Sequence, residues 1–343
     1  MSIRRRTLLA TGPLLLMPLH LARGVDNSAT GSFQEFTDRS RASIDKGTKW
    51  MLKTFNRDRG CGIDIGTHSD ISCTAMVGLA LLSQGNTHYE GPYSRQVRSA
   101  VKFILNAVRR REFVVDLNSQ VRADLCGYAD HHFAALFLSQ VLGEGWDWKP
   151  ARDALNRLVG EISRAQTSQG GWGRGRYPRL AAVTGWCSLR GAFLAGINVR
   201  ASAKKTAKYL TEFMKAGGQG NGVGLFTTAA GIRVLNSMGL EQTDVGRQAF
   251  QDAMNSVTKQ YVNFSRLGGE QYLAFHLINE VMLHRGDEMW RKWFGIVREK
   301  TVDVQNRDGS WTGYSCITSR TFCTACALLV LSSPNRYLPI SDR

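Results

Sequence analysis

The sequence predicts an all-α fold in which six buried helices alternate with six amphipathic ones and close into a single α6/α6 toroid. Three observations predict it. Apolar residues recur at helical spacing along most of the chain, and only seven prolines interrupt 343 residues. Segments that are apolar nearly all round alternate with segments that are apolar on one face only. A loop motif, Gln305-x-x-x-Gly309-x-Trp311, returns at the same spacing as Gln166-x-x-x-Gly170-x-Trp172.

The first 24 residues stand apart from that pattern. They open on Arg4-Arg5-Arg6, continue in an apolar run too short to cross a bilayer with ease, and end in Ala22-Arg23-Gly24, a small-x-small cleavage pattern. Arg5-Arg6-x-Leu8-Leu9 is similar to a twin-arginine export signal. The reading is an exported protein, periplasmic or extracellular, with no transmembrane span in its mature form. Residues 25–38 then form a linker, and 39–340 the toroid.

Within the toroid the expected outer helices are 39–55, 94–111, 149–165, 201–216, 243–262 and 288–304. "YSRQVRSAVKFILNAVRR" shows why: its apolar residues fall on one helical face and its arginines on the other. The expected inner helices are 68–86, 124–145, 183–198, 225–240, 270–286 and 320–333, small and apolar on every side. One helix pair cannot bury such an inner helix alone, so neighbouring pairs must cover it. No polar capping pair appears at either end, which favours closure over an open stack.

The loop motif sets the register. A degraded third copy, "FNRDRGCG" from Phe55 to Gly62, shares Asn-Arg-Asp with 306–308. Phe55 lies 19 residues before Thr74, Gln305 lies 19 before Thr324, and Gln166 lies 18 before Thr184. Cys73-Thr74-Ala75 and Cys323-Thr324-Ala325 each open an apolar helix. The expected jobs are mechanical: Gly permits a sharp turn, Trp packs a flat body between neighbouring pairs, and Gln bonds backbone at helix ends.

Q-x-x-x-G-x-W after an outer helix resembles the QW repeat of squalene cyclases and the related repeat of protein prenyltransferase β subunits. The resemblance covers roughly residues 40–340, and the ending "LLVLSSPNRYLPI" is similar to that of exported bacterial proteins carrying this repeat. It implies a terpenoid-cyclase/prenyltransferase-like barrel with a central cavity for a hydrophobic or isoprenoid-like substrate. The cyclases' Asp-rich D-x-D-D acid is absent from this chain. The prenyltransferases hold zinc with an Asp-x-Cys pair and a later His. Asp124-x-Cys126 matches the pair, but no His occurs between 133 and 275, and His276 lies inside its helix.

The chemistry therefore centres on "DLCGYADHH". Asp124, Asp130 and His131 are the candidate acid–base residues, and Asp124, Cys126 and His131 the candidate zinc ligands. If one helix starts at Asp124, then Asp124, Tyr128 and His131 share a face. Asp70, His68 and Arg320 would gather at the same end of the barrel. The structural alternative is helix capping by the aspartates. "GGEQY" resembles a thioester segment, but Gly269 stands where the Cys would be, which excludes that chemistry.

Composition adds a partner class. The formal net charge is +16 and the pI about 9.8, which suits an anionic polymer or a well-solvated basic surface. No nucleic-acid-binding signature accompanies the charge, so specific nucleic-acid binding is not expected. Seven cysteines leave at least one unpaired, and most sit in apolar helical runs, including Cys323-x-x-Cys326, where they read as core. Two functions remain open: an enzyme acting on a small hydrophobic ligand, and a non-catalytic toroid that holds an anionic partner.

Overall fold

A computed structural model of the chain describes residues 33–116, 118–143, 148–173, 176, 178–215, 266–285, 287–314, 316–338 and 340. Its helices are, in chain order, α1 (Asp38–Met51), α2 (Ile71–Leu82), α3 (Ser94–Arg110), α4 (Gln120–Asp124), α5 (Ala129–Gly143), α6 (Lys149–Ala165), α7 (Pro178–Leu194), α8 (Arg200–Lys215), α9 (Gly269–Arg285), α10 (Asp287–Asp303) and α11 (Arg320–Ser332). The pair expected at 225–240 and 243–262 lies outside the described residues.

Burial sorts these helices as their sequences require. Every residue of α2 is buried, and so is every residue of α11 after Arg320. In α3 the buried residues are Val97, Ala100, Val101, Ile104, Ala107 and Val108, a single stripe with arginines opposite. In α6 the stripe is Ala151, Ala154, Leu155, Leu158, Val159 and Ile162. The inner helices thus include α2, α5, α7, α9 and α11, and the outer ones α1, α3, α6, α8 and α10.

Neighbours follow the chain around a ring. α9 packs on α11, α11 on α2, α2 on α5, and α5 on α7. The last hairpin packs on the first: α11 also touches α1, and α10 touches α1. Arg39 of α1 pairs with Glu299 at 3.1 Å and Asp303 at 2.5 Å on α10, but both pairs are exposed and add little. The architecture is an all-α toroid.

The loop motif supplies the lacing. Gln305 Nε2 donates to Gly309 O at 2.8 Å and to Ser43 O of α1 at 2.9 Å, while Ser43 Oγ donates to Gln305 Oε1 at 2.8 Å. Gln166 Nε2 donates likewise to Gly170 O, and to Ser202 O and Thr206 Oγ1 of α8. Each Gln therefore ties its own turn to the next outer helix. Trp311 Nε1 donates to Thr301 O and Trp172 Nε1 to Ile162 O, both at 2.7 Å and both ten residues back. Gly309 and Gly170 have φ of +101° and +100°. A Cβ on Gly309 would sit 2.6 Å from Lys46 O of α1, and one on Gly170 would run into Lys205 O of α8.

The degraded copy keeps the turn. Asn56 N donates to Gly60 O at 2.8 Å as Asn306 N does to Ser310 O at 2.9 Å. Cys61 N donates to Thr74 Oγ1 at 2.8 Å as Trp311 N does to Thr324 Oγ1 at 3.0 Å. Arg59 occupies the glycine position with φ of 78°, a region costly for a residue with a Cβ. Thr184 has another job: its hydroxyl donates to Ala181 O and lies 3.2 Å from His132 Nδ1. A two-residue antiparallel pair, Cys61–Gly62 with Ser69–Asp70, leads into α2.

These turns yield a paired prediction. Gly309→Ala should destabilise the fold by about 1–3 kcal/mol in denaturant unfolding, through left-handed strain and the Lys46 carbonyl. Arg59→Gly, at the matching place, should be neutral or stabilise by up to about 1 kcal/mol.

Candidate functional site

The inner helix N-termini meet at one pole of the barrel. Ser72 Oγ of α2 donates to Asp130 Oδ1 of α5 at 2.5 Å. Cys73 Sγ lies 3.4 Å from Ser319 Oγ, the residue that caps α11. Glu270 in the first turn of α9 accepts from Ile317 N at 3.1 Å. The C-termini meet at the other pole, where Asn279 Nδ2 of α9 donates to Val330 O of α11 and Ile340 N donates to Gln140 Oε1 of α5.

A carboxyl pair occupies the N-terminal pole. Asp70 caps α2, accepting from Cys73 N at 2.7 Å. Burial, and then the adjacent Asp130 charge, raise the Asp70 carboxyl to about 6. Asp130 is 1% exposed, and Arg122 from α4 donates to its Oδ2. Arg122 also pairs with Asp116 at 2.9 Å. Both carboxyls thus stand at this pole, and burial favours the protonated form of Asp70.

The other sequence candidates face elsewhere. The single helix expected from Asp124 is broken: α4 ends at Asp124 and α5 begins at Ala129, so Asp124 and His131 do not share a helical face. Asp124 lies 3.3 Å from Arg176 Nε, and burial raises its carboxyl against that charge. His131 points toward the outer layer, its Nε2 3.3 Å from Glu161 of α6 and its ring against Phe113 and Tyr128. Burial lowers its pKa despite Glu161, which favours the neutral ring. Cys126 is buried, and burial pushes its thiol up to about 12. The expected Asp124–Cys126–His131 zinc set does not converge, and among the described residues no group of three or more His, Cys, Asp or Glu could hold a metal ion. His132 is fully buried between Trp172 and Thr184, and burial lowers it to about 3.

Between the inner helices lies a narrow apolar slot of about 30 Å³, room for about two waters. Met76, Phe133, Leu136, Leu273 and Leu329 line it from four inner helices, with Leu338 and Ile340 of the C-terminal segment. Phe133 meets Phe322 edge-on at 5.6 Å, one turn along α5 from Asp130. Sequence reasoning set His276 aside, yet it lines this slot with Glu280. The available signal was a His and a Glu four residues apart in the middle of that helix. Six of the seven cysteines are buried, as their apolar settings suggested.

Solved structures share this architecture. The GH76A α-1,6-mannanase from Salegentibacter sp. HEL1_6 superposes with a TM-score of 0.62 at 9% identity, over 87% of this chain and 100% of that one. A variant of the type II terpene cyclase MstE from Scytonema, bound to geranylgeranyl dihydroxybenzoate as substrate, gives 0.57 at 14%, over 88% and 98%. The fold is theirs. Identity this low establishes the toroid and not its chemistry. No protein-family model matches the sequence, nor does any curated protein sequence.

The carboxyl pair makes a signed prediction. Folded Asp70 holds its proton more tightly than the unfolded chain, so ionising it costs stability as pH rises from about 3.8 through about 6. Asp70→Asn, which keeps the cap, should raise Tm relative to the native chain at pH 7 and leave it unchanged near pH 3. Asp130→Asn should lower the Asp70 titration midpoint in carboxyl-carbon NMR, because it removes the adjacent negative charge.

Proposed function

We propose that this chain is an exported enzyme that binds a hydrophobic, isoprenoid-like substrate along the axis of the toroid and acts on it by proton transfer. The carrying observation is the apolar slot, which has Phe133 on its wall, with Asp130 one turn along the same helix and Asp70 at the same pole. Asp70 is the proton donor in this reading, and Asp130, fixed by Arg122 and Ser72, is its charged neighbour. Asp124 and His131 then shape the rim. The apolar lining is what favours a terpenoid-like ligand over the oligosaccharide of the mannanases. Residues 1–24 supply the export signal, and 39–340 the catalytic domain.

The test is product analysis by mass spectrometry, with linear isoprenoid alkenes and alcohols, beside displacement of a hydrophobic fluorophore. Turnover should fall by about 100-fold or more in Asp130→Asn and Asp70→Asn with binding retained. Turnover should also fade as pH rises through about 6, where Asp70 gives up its proton. Full activity in both variants would place the chemistry elsewhere, and failure of every apolar compound to displace the fluorophore would remove the reading. The net charge of +16 favours a second reading, a non-catalytic toroid holding an anionic polymer; binding of such a polymer without turnover would select it.

A further inference from the structure

The degraded turn leaves an opening where the intact turns close. Gln305 and Gln166 bond the next outer helix, and Gly309 and Gly170 rest on its backbone. At the first turn those two places hold Phe55 and Arg59, and the next outer helix is α3. Phe55 has no amide to reach α3, and a cleft of about 480 Å³ lies between this turn and that helix. Small-ligand sites commonly measure about 300–1,000 Å³. The wall of this one is mainly polar.

Arg57, Arg59 and Ser69 line the cleft from the turn side, and Phe103, Asn106 and Arg110 line it from one face of α3. The two carboxylates in its wall are engaged. Asp58 Oδ1 accepts from Ser69 Oγ at 2.7 Å and from Gly60 N at 3.1 Å, and Glu112 Oε1 lies 3.6 Å from Arg110 Nη1. The Arg57 and Arg59 guanidinium groups have no hydrogen-bond or ion-pair partner among the described residues. Arg59 also holds its φ of 78° where the intact turns have glycine. A left-handed arginine costs stability, and such outliers cluster at functional sites.

We propose that this cleft binds a phosphate monoester carried on a sugar-sized ring. The charges select the head group. Arg57 and Arg59 are two uncommitted cations, and a phosphate monoester brings a charge of about −1.5 to −2 at neutral pH. A carboxylate or a sulfate ester brings one negative charge. Each guanidinium offers phosphate oxygens a planar fork of donors. The half-buried Phe103 gives the ring an apolar surface to rest on. Asn106 Oδ1 is taken by Arg109 at 3.2 Å, which leaves its Nδ2 to donate to a ring hydroxyl.

This inference does not rest on the axial slot, so its failure leaves the proton-transfer reading standing. Glucose 6-phosphate, glucose 6-sulfate and inorganic phosphate are titrated calorimetrically against the full chain, in about 0.15 M salt to screen general charge attraction. Glucose 6-phosphate should bind about tenfold more tightly than either of the others, or better. Arg59→Gly should weaken it about tenfold or more with Tm unchanged or raised, and Arg57→Gln should weaken it too. Arg291→Ala, which removes the same charge from an exposed place on α10, should leave the affinity unchanged. Equal binding of glucose 6-sulfate would overturn the charge match, and equal binding of inorganic phosphate the ring contact; either overturns the inference. A loss in Arg291→Ala as large as in Arg59→Gly would reduce the effect to net charge and overturn it as well. So would the absence of binding by glucose 6-phosphate.

Discussion

Ring closure is the constraint on which the rest of the molecule depends, and Gln305 is where it is made. Its side-chain amide holds the turn that follows α10 and, with the same nitrogen, the backbone of α1 at Ser43. The first and last helix pairs are thereby joined by short, part-buried, directional bonds, beside the exposed ion pairs of Arg39. Gly309 is part of the same contact, because only a residue without a side chain lets this turn rest on Lys46 O. Without closure, α2 and α11 would each expose a flank of fully apolar helix.

Closure also creates the two poles. Inner helices that all run one way bring their N-termini together, with the free N–H groups and the positive end of each helix dipole. Asp70 and Ser319 are drawn there as caps. Asp130 is held there by Arg122 and Ser72 from other elements. The C-terminal pole receives no such charge from the backbone amides, and the segment around Leu338 and Ile340 covers it instead. The axial slot between the poles is apolar because the inner helices must be apolar to pack on one another.

The same packing explains why this fold can serve unlike chemistries. An oligosaccharide-cleaving enzyme and a terpene-cyclising one share the toroid with this chain at 9% and 14% identity. The few polar side chains at its poles are free to differ, so function must be read from those side chains and their partners.

Much of this was legible in the sequence. Helix periodicity, the alternation of buried and exposed helices, and three loops in register are local or repetitive properties, and repetition marks the toroid without any knowledge of contacts. Asp130 and Asp70 could be placed near one pole for the same reason. The sequence could not decide pairing. Whether α5 began at Asp124 or Ala129 turned on a break between two helices, and that break moved Asp124 toward Arg176 and left His131 facing Glu161. The raised Asp70 carboxyl needs Asp130, 60 residues away, and the burial that both share. His276, which the sequence places inside its helix, comes to line one slot with residues of α2, α5 and α11 only when the ring forms. Periodicity fixes which face of a helix is apolar; only the closed ring decides which side chains meet across the axis, because those contacts join residues far apart in the chain.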